Sequence, residues 1–491
     1  MRPHASSKRS QGSSPVLTIS DLRRSQTTVL FKMLRTWAAM VGVLIGSGLT
    51  LHLIASAGAA DLTVSTPPSS ASAFPMKVSE NHRYLTDQNG RPYLIAGDSP
   101  QTILGRMTTE DAEFYFTNRQ SYGVNALWVH VMCRENETCH ADGATPDGVV
   151  PFFDHDLARP NAAYFDRLDT MLNLAAEHGI TFFLTPAETS GWLDALRTAG
   201  AEKAFAYGEY LGQRYEHFPN IVWMHGNDFQ TWRVPEDDEL VLAVARGIAS
   251  KDHTHLHTTE LNYTDSISSD DPRWDAMIQL NGVYTYYPSY AGVLREYDQN
   301  NPKPIFLEET NYEFEHGKAG SPLNLRRQEY WATLSGAAGQ FYGSLITWTL
   351  PSDWKLMLDT PGIAQFASMR RFFAEHDWQD LVPDREHRTV VAGYGIESPP
   401  GTGLITKDTY LTAARTADGR LAIAYLPNYR EISVDLSQLA SPVRARWYDP
   451  TNGQYLSLSE MLFPNMGTKK FVPPGKNADG DEDWLLELKA Q

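Results

Sequence analysis

The chain has 491 residues, of which 42% are hydrophobic and 21% charged, with a formal net charge of −17. That is too long for one ordinary domain and apolar enough for a sizeable core, which excludes a disordered chain and suits a large barrel plus a smaller module. Residues 1–60 contribute +6, so 61–491 carry −23; such an acidic surface argues against nucleic acid or anionic lipid as a partner and leaves a neutral sugar open.

Residues 1–32 are polar and Ser-rich. From Met33 a basic start leads into the apolar run Ala38–Ile54, and the small residues Ala57-Gly58-Ala59 follow. This order reads as a secretory signal cleaved near Ala59-Ala60, which places the mature protein outside the cell or in the periplasm. The competing reading is an uncleaved anchor, the one route to a membrane, since about 17 apolar residues lies near the lower limit for a span. Residues 61–75 read as a linker. Two cysteines, Cys133 and Cys139, are expected to form a local disulfide in an oxidising compartment. A zinc set is not expected, because no second pair accompanies them and His140 alone does not complete one.

Residues 83–94 form a hairpin pattern around Asn89-Gly90, a turn that needs positive φ. Eight apolar segments follow, most ending in polar residues: Tyr93–Asp98, Val124–Met132, Ile180–Glu188, Ile221–Asp228, Leu256–Asn262, Met277–Tyr284, Ile305–Thr310 and Leu345–Leu350. Helical spacing lies between them at Thr108–Tyr122, Tyr164–His178, Asp194–His217, Pro235–Ser250, Leu325–Gly339 and Ile363–His376. This alternation predicts an α/β chain with a (β/α)8 TIM barrel over 76–379. A doubly wound sheet would want a Gly-rich phosphate loop after the first strand, and Gly97-Asp98-Ser99-Pro100 is not one. From 380 to 491 short alternating runs at Thr389–Ala392, Tyr410–Arg415, Leu421–Tyr425, Ile432–Leu436, Arg444–Tyr448 and Trp484–Leu488 predict a small antiparallel β-sandwich.

Barrels carry their chemistry at the carboxyl ends of strands. Asn227-Asp228 ends strand four and Glu309 ends strand seven, on opposite sides of the barrel mouth. Two carboxyl groups that converge on one sugar suit glycoside hydrolysis, one protonating the leaving oxygen and the other attacking the anomeric carbon. Glu308 is the rival of Glu309; neighbours on a strand point to opposite faces, and the polar Thr310-Asn311-Tyr312-Glu313 that follows favours Glu309. Supporting residues follow from strand-end position. Asp98, Glu188, Asn227 and Tyr312 are candidate sugar ligands; Tyr284 and Tyr286 are placed to hydrogen-bond the nucleophile. Trp348 is a candidate floor, and Trp192 and Trp232 are candidate solvent-facing platforms. His253, His255 and His257 alternate on strand five and leave a metal-dependent hydrolase open as another reading.

The segments Leu94–Ser99, Trp223–Asp228, Glu309–Glu313, Tyr330-Trp331, Gly336–Gly339 and Tyr342-Gly343 resemble the apiosidase-like catalytic domain, as in glycoside hydrolase family 140, over about residues 76–375. The tail around Trp447–Gly453 is similar to the β-sandwich that often follows this domain, labelled a collagen-binding domain. The resemblance implies hydrolysis of apiosyl linkages in branched pectin without a cofactor, with Asp228 as acid/base and Glu309 as nucleophile. It extends to the clan A glycosidases, with the difference that strand four offers Asp228 where that clan has Glu. The expectation is therefore a glycosidase acting on plant-wall or similar polysaccharide by a two-carboxylate, retaining mechanism. A non-catalytic carbohydrate- or matrix-binding protein on an inactive barrel is the remaining reading.

Overall fold

The structure is a computed structural model that describes residues 73–133, 138–229 and 234–491. The signal and most of the linker expected from the sequence lie outside these residues.

Eight parallel strands form the barrel: β1 (Ile95–Asp98), β2 (Ala126–His130), β3 (Thr181–Thr185), β4 (Ile221–Gly226), β5 (Leu256–Glu260), β6 (Asn281–Thr285), β7 (Ile305–Glu309) and β8 (Gly339–Tyr342). They pair in the order β5-β4-β3-β2-β1-β8-β7-β6, and the short strand Asp265–Ile267 lies antiparallel to β6. Among the described residues β5 and β6 do not pair directly. The Ser268 hydroxyl bridges them, donating to the Thr259 carbonyl of β5 at 2.6 Å and accepting the Gly282 N–H of β6 at 2.9 Å.

The helices between the strands are α1 (Thr109–Ser121), α2 (Ala162–Glu177), α3 (Thr189–Tyr215), α4 (Pro235–Ala249), α5 (Ser289–Tyr297), α6 (Pro322–Leu334), α7 (Leu345–Thr349) and α8 (Pro361–Ala374). Their starts follow ordinary capping: Thr108 and Asp111 form a capping box at α1, and α4, α6 and α8 each begin with a proline. Inside the barrel, Ile95, Ala126, Trp128, Phe183, Val222, Met224, Leu256, Leu280, Phe306 and Phe341 form one buried cluster. Leu85 and Tyr93 of the amino-terminal hairpin join it at the strand beginnings, where Gly90 (φ 76°) makes the expected turn.

One strand differs from expectation. Leu345–Leu350 is not strand eight; it is mostly helix α7, and strand eight is Gly339–Tyr342, of which the expected helix Leu325–Gly339 takes only the first residue and no expected element covers the rest. The run Leu-Ile-Thr-Trp-Thr is β-branched and apolar and reads as a strand by propensity. Ser344 overrides it by capping the helix, its side chain accepting the Ile346 N–H, and Leu350 ends the helix in a left-handed conformation.

Beyond the barrel, six strands form one antiparallel sheet: β9 (Leu381–Pro383), β11 (Thr412–Thr416), β12 (Leu421–Leu426), β17 (Trp484–Ala490), β14 (Val443–Tyr448) and β15 (Tyr455–Ser457), in that spatial order. Three more, β10 (Val390–Ala392), β13 (Ile432–Asp435) and β16 (Thr468–Phe471), form a second sheet, and the two make a β-sandwich. It is tied to α6. Arg326 reaches Asp483 and Asp481 at 2.7 Å, Arg327 donates to the Ile405 and Pro427 carbonyls, and Tyr330 stacks on Tyr425.

Candidate active site

The carboxyl ends of the strands open on a cleft of about 680 Å³ lined by Gln101, Asn227, Asp228, Tyr263, Tyr284, Tyr286, Glu309, Tyr312, Glu315, His316 and Trp348. The two carboxylates that end strands, Asp228 and Glu309, are each aimed by a local departure from regular strand geometry.

At the end of β4 the chain takes three successive left-handed residues, Gly226 (φ 90°), Asn227 (φ 93°) and Asp228 (φ 56°). Gly226 is required twice over, since a Cβ there would also lie 2.1 Å from the Glu260 carbonyl oxygen. Asn and Asp are the residues that tolerate this region best after glycine, so Gly-Asn-Asp is the sequence this turn calls for. The Thr189 hydroxyl holds the Asn227 carbonyl, and Glu260 Oε1 accepts the Asp228 N–H at 3.3 Å and Asn227 Nδ2 at 3.5 Å.

At the end of β7 the pairing with β6 slips: Val283 faces Leu307, but Tyr284 faces Glu309, so Glu308 is an extra residue. Such a bulge re-aims a side chain. Strict alternation would turn only one of the two glutamates inward; the bulge lets both in. Glu309 reaches the cleft. Glu308 stays beneath it, fully buried, against Gly282, where a Cβ would lie 1.7 Å from its carboxylate, and neither Glu308 oxygen has a hydrogen-bond partner.

Hydroxyl groups surround Glu309. Tyr286 donates to Oε1 at 3.0 Å and Tyr312 to Oε2 at 3.3 Å; Tyr284 donates to the Tyr286 hydroxyl at 3.1 Å, and Gln101 to the Tyr312 hydroxyl at 3.2 Å. Tyr284 lines the same cleft, and its hydroxyl draws both Asp228 and Glu309 downward. Burial pushes Asp228 up to about 6, and burial with the Asp228 charge pushes Glu309 up to about 8. The two groups titrate as a pair that shares protons. Tyr286 and Tyr312 donate to Glu309 and favour its charged form.

The structure brings Asn227, Asp228, Tyr284, Tyr286, Glu309, Tyr312 and Trp348 to one cleft, Trp348 from α7 rather than from strand eight. Three expected sugar contacts are elsewhere. Asp98 is fully buried and occupied by Arg119 at 2.5 Å, Tyr115 at 2.5 Å and the Ser99 N–H at 2.7 Å, so it ties α1 to β1 instead of facing a ligand. Glu188 caps α3, accepting the Gly191 N–H at 2.7 Å, and is absent from the cleft lining. Trp192 is 2% exposed and packs edge-on against Phe152, which makes it core, not a solvent-facing platform. Trp232 lies outside the described residues. Cys133 and Cys139 are joined in a disulfide.

The alternating histidines do not converge. His253 is exposed, and His255 is held between Asp252 at 2.6 Å and the Phe218 carbonyl at 2.5 Å. His257 bonds His225 at 2.9 Å and stacks on it. Burial pushes His257 down to about 4 and His225 well below its ordinary value, so both rings are neutral. Sequence reasoning also missed cleft residues. Tyr263, half exposed after β5, fits the same aromatic-after-strand rule that selected Trp192. Glu315 and His316 lie two and three residues beyond the polar rim noted at Thr310–Glu313. Gln101 carries no signal that separates it from any loop glutamine.

A family model described as "Apiosidase-like, catalytic domain" matches residues 79–380. The chain belongs to the apiosidase-like family. An apiosidase-like catalytic domain is a glycoside hydrolase, so the protein is an enzyme of O-glycosidic bond hydrolysis. A second model, "Putative collagen-binding domain of a collagenase", matches residues 402–489, within the sandwich. Among solved structures, one titled "Glycoside hydrolase" is 20% identical with a TM-score of 0.72, covering 85% of this chain and 97% of that one. A glycoside hydrolase family 5 structure from Bacteroides vulgatus has the same identity and TM-score, covering 85% of this chain and 93% of its own. These two share the fold of the apiosidase-like barrel together with its sandwich. No curated protein matches the chain in sequence.

Proposed function

We propose that the enzyme cleaves an apiosyl or closely related linkage in branched, pectic plant-wall glycan with retention at the anomeric carbon, using Glu309 as nucleophile and Asp228 as acid/base. The observation that carries this reading is that Asp228 at the end of β4 and Glu309 at the end of β7 line one cleft, with Tyr286 and Tyr312 donating to Glu309. In the first half-reaction Asp228 gives its proton to the glycosidic oxygen as that C–O bond breaks, and a Glu309 carboxylate oxygen bonds to the anomeric carbon. In the second, Asp228 takes a proton from water, and the water oxygen displaces Glu309, which regenerates both groups. The hydroxyls on Glu309 support its role by favouring its charged form before attack. Trp348 and the exposed Tyr263 offer rings for stacking a sugar face. The Cys133–Cys139 disulfide and the apolar run after Met33 support export to an oxidising compartment.

The test is product release from a panel of pectic and other wall glycans by wild type and by Glu309→Gln. Apiose released by wild type alone supports the reading. Another sugar released by wild type alone would replace the substrate while keeping the nucleophile; equal release by both proteins would remove Glu309 from the chemistry.

A further inference from the structure

The left-handed turn that carries Asp228 is an expensive way to present an acid, and something must hold it. A non-glycine residue in this region costs about 1–3 kcal/mol and persists only where its surroundings over-determine it. Asn227 and Asp228 are two such residues in a row. Thr189 holds the Asn227 carbonyl from the α3 side. The other restraint is Glu260, at the carboxyl end of β5, paired across from Gly226.

Glu260 has 0% exposure and does not line the cleft. Its Oε1 accepts both the Asp228 N–H and the Asn227 amide, while Oε2 has no partner. The groups acting on it are Glu309, Asp228 and Glu308, with no lysine or arginine among them. A carboxyl group buried among other carboxyls without a cation retains its proton. Burial first, then the Glu309 charge, holds it well above the ordinary carboxylate range. A protonated carboxyl still carries a carbonyl oxygen, which the turn uses.

We propose that Glu260 is the positioning residue of the acid/base, fixing the Gly226–Asp228 turn from below so that the Asp228 carboxyl meets the glycosidic oxygen. The inference rests on the assignment of Asp228 given above. It also accounts for the shorter arm on β4: an aspartate reaches less far than a glutamate, and the left-handed turn supplies the displacement that the side chain does not. Glu260 does not line the cleft, so its effect falls chiefly on proton delivery.

Two variants remove the acceptor, Glu260→Ala and Glu260→Met, the second keeping the space filled; Glu260→Gln keeps a carbonyl in place. The probes are the 2,4-dinitrophenyl and methyl glycosides of the sugar that wild type releases, apiosides on the reading above. Dinitrophenolate leaves without a proton and methoxide does not. Loss of alignment at the acid is expected to cost about 100-fold in kcat/KM on the methyl glycoside and less than about tenfold in kcat/KM on the dinitrophenyl glycoside. Glu260→Gln should stay within about tenfold of wild type on both. Hydrogen exchange at the Asp228 amide should rise in the Ala and Met variants and not in Gln. Equal losses of kcat/KM on the two glycosides, or full activity and unchanged exchange in Glu260→Met, would overturn the proposal. Asp228→Asn is the control for the reading beneath it: if that variant shows no preference for the activated glycoside, Asp228 is not the acid. If it does and Glu260→Met does not, only the role of Glu260 falls.

Discussion

Glu308 and Glu309 are adjacent carboxyls with different fates, and the difference is one bulge. Glu309 is surrounded by hydroxyl donors, whereas Glu308 has none and sits against Gly282 in the barrel interior. Burial, then the Glu309 charge, pushes Glu308 well above its ordinary range, so the native state holds it neutral. Between the ordinary carboxylate range and that raised value, the unfolded chain releases the proton and the native chain does not. Native stability is therefore lost as pH rises through this window. Glu308→Gln removes the effect: its stability relative to wild type should climb with pH from about 4.5 upward, by at most about 1.4 kcal/mol per pH unit. Urea denaturation of both proteins at several pH values checks this, and a difference that is flat with pH would contradict it. Since Glu308 does not reach the cleft, the same variant should retain turnover.

The elements show where sequence reasoning reaches and where it stops. Strands β1 to β7 and most of the helices are legible because apolar runs, caps and proline starts agree with the packing. Asp228 and Glu309 are legible because polar residues that end buried strands belong to the barrel mouth. Strand eight is not: its four residues, Gly-Gln-Phe-Tyr, are too short to register, and the β-branched α7 beside it imitates a strand until Ser344 caps it. Asp98, Glu188 and Trp192 satisfy the same positional rule as the true cleft residues. Only the tertiary partners, Arg119, the α3 amides and Phe152, decide that they face away. The β5–β6 seam is invisible in the sequence altogether, since nothing distinguishes Ser268 from other loop serines. Its hydroxyl serves one carbonyl and one N–H across the gap. Ser268→Ala leaves both buried groups unpaired and should cost about 1–3 kcal/mol by denaturant midpoint. A loss within error of zero would show that the seam closes by other means.

At the scale of the molecule, the sandwich is welded to the barrel through α6. Arg326 is 1% exposed and holds Asp483, which is fully buried and also accepts from Tyr425 and Asn477. Removing one partner of such a pair strands the other charge, so Arg326→Ala is expected to cost about 3–5 kcal/mol. Wild type should unfold in one calorimetric transition, because the β-sandwich and the barrel's α6 share buried ion pairs, hydrogen bonds and the Tyr330–Tyr425 stack. Two well-separated transitions in wild type would contradict this coupling. Such a rigid mount keeps α6, and with it β7, fixed behind Glu309.

The most direct test of the central claim is covalent trapping. A 2-deoxy-2-fluoro glycosyl reagent of the released sugar, carrying a dinitrophenyl leaving group, is incubated with the enzyme, and the protein is digested and mapped by mass spectrometry. One adduct is expected, on Glu309, that is absent from Glu309→Gln and still forms in Asp228→Asn. An adduct on Glu308, or turnover with inversion and no adduct, would contradict the claim.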